Sequence, residues 1–182
     1  MLTKSFHSVG LNEILAAVKV PKGSFYHYFA SKEQFGVEML KHYTANATAY
    51  KTQVLLSPSP EPDPLQRLLA FLEANAAKYQ ESGGKCPCLL VKLTSEVADF
   101  SEPMREVLAE GNRKWTGILE ELLREGIEKK KISSHVDPAI MAPVIQDLLS
   151  GAMQRAATQR STAPLGQIIR FLKTELSPRA SV

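Results

Sequence analysis

From Leu11 to Leu176 the apolar residues of this chain recur three and four positions apart, and nowhere do they alternate with polar ones over the length of a strand. That spacing gathers side chains on one face of a helix, whereas a half-buried strand needs a period of two. Prolines and glycines interrupt the series and divide it into separate segments. No internal repeat is present. The chain is therefore expected to be all-α.

The interruptions place the helices. Leu11, Ile14, Leu15 and Val18 stripe a short first helix beginning at Ser8 or Asn12. Lys19-Val20-Pro21 ends it, because proline lacks an N–H and bars the residue before it from the helical region. The same proline is a good entry to a second short helix, Pro21 to Phe29. At about 100° per residue, Phe25 and Phe29 share one side of it while Gly23 and His27 lie opposite, with Lys22, Ser24 and Tyr26 on the flanks. Ser31 caps a third helix, with Glu33 in its first turn; Phe35, Met39, Leu40 and Tyr43 stripe it, and it runs to about Leu56.

Ser57 to Pro64, with four prolines, reads as a stiff connection. Beyond it Leu65, Leu68, Leu69, Leu72, Ala76 and Tyr79 mark an amphipathic helix ended by Ser82-Gly83-Gly84. Leu89, Leu90, Leu93 and Val97 give a short helix to about Asp99, and a long one starts at Ser101 and closes on Glu128-Lys129-Lys130-Lys131. Asp137-Pro138 opens the next, to about Ala157, and the last spans about Ala163 to Leu176.

At 182 residues, 44% hydrophobic and 23% charged, the chain can bury a substantial core. No apolar run approaches the roughly 20 residues that span a bilayer, and the N-terminus carries no signal-peptide core, so no membrane association and a cytoplasmic location are expected. The net charge of +3 says little by itself. Its placement says more: Lys4, Lys19, Lys22 and Lys32 precede residue 33, with only Glu13 opposing them there. The basic bias thus surrounds Pro21–Phe29.

Two short helices joined by a tight break fit a helix-turn-helix. A recognition helix in a major groove needs a small residue where its backbone nears phosphate, donors on its flanks and an apolar back. Gly23, then Lys22, Ser24, Tyr26 and His27, then Phe25 and Phe29 against Leu11, Ile14, Leu15 and Val18 supply these in turn. On spacing alone the stretch also fits an ordinary helical hairpin with a polar surface.

Leu11 to Leu40, containing Val20-Pro21-Lys22-Gly23-Ser24-Phe25-Tyr26-His27-Tyr28-Phe29 and Ser31-Lys32-Glu33, resembles the DNA-binding signature of the TetR family of bacterial repressors. The resemblance implies a DNA-binding domain over residues 1–44 and a helical ligand-sensing and dimerisation domain over 45–182. It implies that Lys22, Ser24 and His27 face base edges or phosphates, that Gly23 allows close approach, that Tyr26 and Tyr28 meet the DNA backbone, and that Lys32 meets a phosphate. Only Leu2 to Phe6 stands where the family's first helix would lie, so that helix is largely missing. Without it, Leu11, Leu15 and Phe29 are expected to expose apolar surface. A truncated chain or a mis-assigned start follows as an expectation, and with it an alternative: a ligand-binding and dimerisation module with impaired DNA binding.

Cys86 and Cys88 are too near each other for an unstrained disulfide, and His7, His27, His42 and His135 are too scattered to complete a metal site. Cys88 packs as a small hydrophobe or acts as a reactive thiol: it sits at a helix N-terminus with Lys85 and Lys92 near in sequence, a setting that favours thiolate. Cys88 to Leu93, Glu96-Val97, Asp99 to Glu102 and Met104-Arg105 resemble a subgroup of TetR repressors that senses electrophiles and oxidants. The resemblance implies Cys88 as the sensing thiol, partnered by a lysine from the penultimate helix; here Gly151 to Ala157 offers Arg155 instead. Cys86, Lys92 and Trp115 complete the candidate sensing set. Tyr28 and Lys32 share the Tyr-x-x-x-Lys spacing of short-chain dehydrogenases, but no glycine-rich strand-turn-helix precedes them. No catalytic constellation stands out, and neither metal nor cofactor is expected. The expected protein is a homodimer, paired through its last two helices, that holds a palindromic double-stranded DNA operator. A small molecule or an electrophile releases it.

Overall fold

The structure is a computed structural model, and it describes residues 6–57, 61–83 and 88–178, apart from the side chain of Ser95. Among the described residues every regular element is a helix: α1 (Leu11–Ala17), α2 (Lys22–Tyr28), α3 (Lys32–Leu56), α4 (Pro64–Glu81), α5 (Leu89–Val97), α6 (Glu102–Glu128), α7 (Pro138–Gln159) and α8 (Ala163–Leu176).

The helix ends follow local chemistry. Lys19 takes a left-handed conformation, φ 54°, that turns the chain out of α1, and its N–H closes on the Ala16 carbonyl. Pro21 is extended and precedes α2, which begins at Lys22. The Ser31 hydroxyl accepts the Gln34 N–H at 3.0 Å, the cap expected for α3, and the Gln34 side chain accepts back from the Ala30 N–H. Two Asp-Pro pairs open helices alike. Asp63 accepts from the N–H groups of Leu65 and Gln66, and Asp137 accepts from Ala139, with Pro64 and Pro138 at the first helical positions. Pro64 therefore belongs to α4 and not to the connection before it: at that position its missing N–H costs nothing.

The chain forms two compact units. The first comprises Met1–Ala47 and Cys88–Gly111, the second Thr48–Pro87 and Asn112–Val182. Both long helices, α3 and α6, contribute one part to each. In the first unit Phe6, Leu40, Leu93, Val97, Met104 and Leu108 form a shared buried core with Leu89 and Leu90. In the second, Leu68, Leu72, Leu119, Leu122, Ile145 and Leu172 lie at the centre of a larger one. Arg67, almost wholly buried there, is held by the Glu125 carboxylate and by the Glu61 carbonyl.

Candidate nucleic-acid interface and thiol helix

Helices α1 and α2 pack together, and each buries one apolar side chain, Leu15 at 6% exposed and Phe25 at 5%. Phe25, Phe29 and Phe35 form a triangle with ring centroids 5.2–5.7 Å apart, so aromatic packing joins α2 to the start of α3. Leu11, Ile14 and Phe29 are half-buried, and Leu15 is covered rather than exposed. Val18 departs from its expected place in this lock. It caps the end of α1 and stands 62% exposed, one residue before the left-handed Lys19 at which the chain leaves the helix direction.

The other side of α2 is entirely open. Lys22, Gly23, Ser24, Tyr26, His27 and Tyr28 are all exposed, Tyr28 by 72%. The His27 and Tyr28 rings stand edge to face at 5.0 Å, and the Lys22 ammonium lies 6.0 Å from the Tyr26 ring. A Cβ at Gly23 would meet nothing within 4 Å. Neither packing nor a left-handed φ calls for glycine in the first turn of this helix. The outer face thus offers ammonium, hydroxyl and imidazole groups beside a strip of bare backbone, all suited to phosphates and base edges.

Lys32 is placed differently. Its ammonium donates to the carbonyls of Phe6 and His7 and lies 4.7 Å over the Phe6 ring. It closes the end of the segment before α1, and Phe6 itself is buried at 3% exposed. The residue at the expected phosphate position is therefore engaged with the protein's own backbone.

Cys88 is the residue preceding α5, partly buried against the first unit's core. Next to it, the Leu89 N–H donates to the Tyr43 hydroxyl at 3.2 Å, tying the start of α5 to α3. Lys92, half-buried one turn on, donates its backbone N–H to the Cys88 carbonyl. Cys86 and Lys85 lie outside the described residues. The far end of α5 is tied to the segment that precedes α1. Glu96 Oε1 accepts the His7 N–H at 3.0 Å, and the Phe100 ring packs on His7 at 4.0 Å and on Phe6 at 6.3 Å. The Ser101 hydroxyl donates to Glu33 at the start of α3. Sequence reasoning missed Glu96, Phe100 and Ser101 as links. Their partners are about seventy to ninety positions away, beyond the reach of helical spacing.

Trp115 and Arg155 belong to the second unit. Trp115 is buried beside Phe71, with centroids 5.6 Å apart and the Lys51 ammonium 4.1 Å over its ring, while Arg155 is exposed on α7. Cys88 and Lys92 belong to the first unit, so each pair is placed within its own unit. Among the described residues no three His, Cys, Asp or Glu side chains gather as a metal site requires, and no helix is long and apolar enough to cross a membrane.

Comparison with known proteins agrees with this geometry along the whole chain. Residues 1–39 match the family model of bacterial regulatory proteins of the tetR family, and residues 64–172 match that of the tetracyclin repressor-like C-terminal domain. The HTH-type transcriptional repressor NemR of Escherichia coli K12 is 36% identical over 179 residues, covering 98% of this chain and 89% of that protein. The transcriptional regulator AcuR of Cereibacter sphaeroides is 31% identical, over 92% of this chain and 75% of its own length. The crystal structure of reduced E. coli NemR superposes with a TM-score of 0.92 at 35% identity, covering 99% of this chain and 92% of that one. A matched N-terminal DNA-binding domain favours a repressor over a module that has lost its hold on DNA. With reading helix, family models and relatives in agreement, the chain belongs to the TetR family of bacterial transcriptional repressors and is similar to NemR.

Proposed function

We propose that the protein is a homodimeric repressor, acting in the cytoplasm, that sets two copies of α2 into successive major grooves of a palindromic operator. The observation that carries this reading is the outer face of α2: six consecutive-turn positions exposed, with a glycine that nothing within the chain requires. Lys22, Gly23, Ser24, Tyr26, His27 and Tyr28 form the reading face, within a DNA-binding domain of residues 1–44. Lys32 acts at its edge, its charge near the phosphates while its hydrogen bonds hold Phe6 and His7. The dimer forms through α7 and α8, a reading supported by Ile140, Val144 and Phe171, which stay exposed although other faces of these helices are buried. The test is binding to the DNA upstream of the protein's own gene. Affinity should fall steeply with added salt, and a flat dependence would count against phosphate contacts.

Release is assigned to a small molecule or to an electrophile that modifies Cys88. Support comes from the ties of α5, to Tyr43 at one end and to His7 at the other, which connect the thiol's helix to the DNA-reading side. Cys86 and Lys92 are the assigned neighbours of the thiol, and Trp115 and Arg155 are assigned to effector recognition in the second unit. Treating the wild type and Cys88→Ser with N-ethylmaleimide while they hold DNA decides the thiol's part. Release of the wild type alone is expected; equal release of both would remove Cys88 from the mechanism.

A further inference from the structure

Helices α3 and α6 mesh at two notches of opposite sense within the first unit. At Gly36 of α3, a Cβ would fall 3.2 Å from the Met104 side chain of α6 and 2.7 Å from the Phe6 ring. About two turns further along both helices, the arrangement is reversed: a Cβ at Gly111 of α6 would fall 2.7 Å from Thr44 Cγ2 of α3. The Ser101–Glu33 hydrogen bond marks the same alignment at the start of the two helices, so the contacts advance together along both chains. A knob from each helix occupies a gap in the other. Sliding α3 along α6 would drive Thr44 or Met104 into backbone, so the mesh fixes register.

Thr44 adds an independent sign that the seat matters. It is 6% exposed, and with its methyl in the Gly111 notch its hydroxyl is left buried without a hydrogen-bond partner. The seating is kept at the expense of the hydroxyl's own bonding. Both helices pass out of the first unit close by, after Ala47 and Gly111. At its other end α3 carries the recognition helix, joined by the Phe25, Phe29 and Phe35 packing. How deeply α3 seats on α6 is thereby transmitted to the position of α2.

We propose that Gly111 is a positioning residue for operator binding: the notch it leaves for Thr44 sets the seat of α3, and through it the separation of the two recognition helices in the dimer. This rests on the dimeric repressor reading above. A dimer must place its two recognition helices about one DNA turn apart, 34–36 Å, so a small change of seat is read as a change in preferred half-site spacing.

The test uses the full chain and the DNA upstream of its own gene. Footprinting locates the palindrome there, and variants are made with one base pair inserted at, or removed from, its centre. Gly111→Ala overfills the notch and is expected to lose about tenfold or more in affinity for the natural spacing, and distinctly less for one of the altered spacings. Adding Thr44→Ser removes the methyl that the new Cβ would meet, and should restore the natural preference to within about threefold. Gly117→Ala on the same helix, where a Cβ meets nothing, should behave as the wild type. A folded Gly111→Ala that weakened all three spacings equally would overturn the proposal, as would one that bound as the wild type does. Should Gly111→Ala not fold, Thr44→Ser alone decides, because an emptied notch should broaden spacing tolerance and an unbroadened preference refutes the idea. If the wild type and Gly117→Ala both fail to bind the fragment, the repressor reading itself fails.

Discussion

Gly23 shows how a residue's purpose can be read from what surrounds it. A glycine inside a helix costs backbone entropy, and here no neighbour fills the space a side chain would take. Gly23→Ala is therefore expected to stabilise the free protein by up to about 0.5 kcal/mol in urea unfolding, less than in a helix interior because Gly23 lies in the first turn. The same change should weaken DNA binding, because the new methyl stands where phosphate or base edge would come. A variant that gained stability and kept its affinity would show that α2 approaches DNA on another side. Arg67 and Glu125 make the opposite case, of residues whose purpose lies wholly within the fold. Arg67 is 4% exposed and depends on Glu125 for its charge partner. Glu125→Ala should cost about 3–5 kcal/mol, since a buried guanidinium is left with a backbone carbonyl but no counter-charge. Exchanging both residues together, Arg67→Met with Glu125→Leu, should recover most of that loss in the same unfolding measurement.

Helices are the scale at which the sequence was most legible. Apolar period and punctuation sufficed for all of the described helices, because caps and proline stops are local: Ser31 and Asp137 cap as their positions imply. Asp63→Ala, which removes acceptors for the Leu65 and Gln66 N–H groups, is expected to lower stability by about 1 kcal/mol, measurable as an earlier thermal midpoint. What could not be read locally is where an element packs. Val18 fits the stripe of α1, yet it stands exposed where the chain leaves the helix at Lys19. Lys32 sits where a phosphate contact is expected, but its ammonium is engaged by carbonyls of residues 6 and 7. The exposed face of α2 was legible for a matching reason: its polar and aromatic pattern has a period of its own. The links through Glu96, Phe100 and Ser101 join residues far apart in the chain, and no spacing rule announces them.

At the scale of the molecule, the last two helices present apolar groups on more than one face. Ala142, Ile145, Leu149, Leu165, Ile168 and Leu172 fill the second unit's core, while Ile140 and Phe171 remain 64% and 47% exposed. Phe171→Asp should leave a single chain folded, since the side chain is outside its core, and should turn a dimer into a monomer in light scattering. DNA affinity should fall with it, because two reading helices then no longer bind as one ligand. A dimer that survived both Phe171→Asp and Ile140→Asp would place the contact elsewhere.

The first unit is assembled from two stretches of chain, Met1–Ala47 and Cys88–Gly111, and this orders events in time as well as in space. When the ribosome has released α1, α2 and α3, the buried partners Leu89, Leu93, Val97, Met104 and Leu108 have not yet been made. A fragment ending at residue 57 should accordingly show little of the helicity of its counterpart in the full protein by circular dichroism. The core that packs against α3 is thus complete only once more than half the chain has been synthesised.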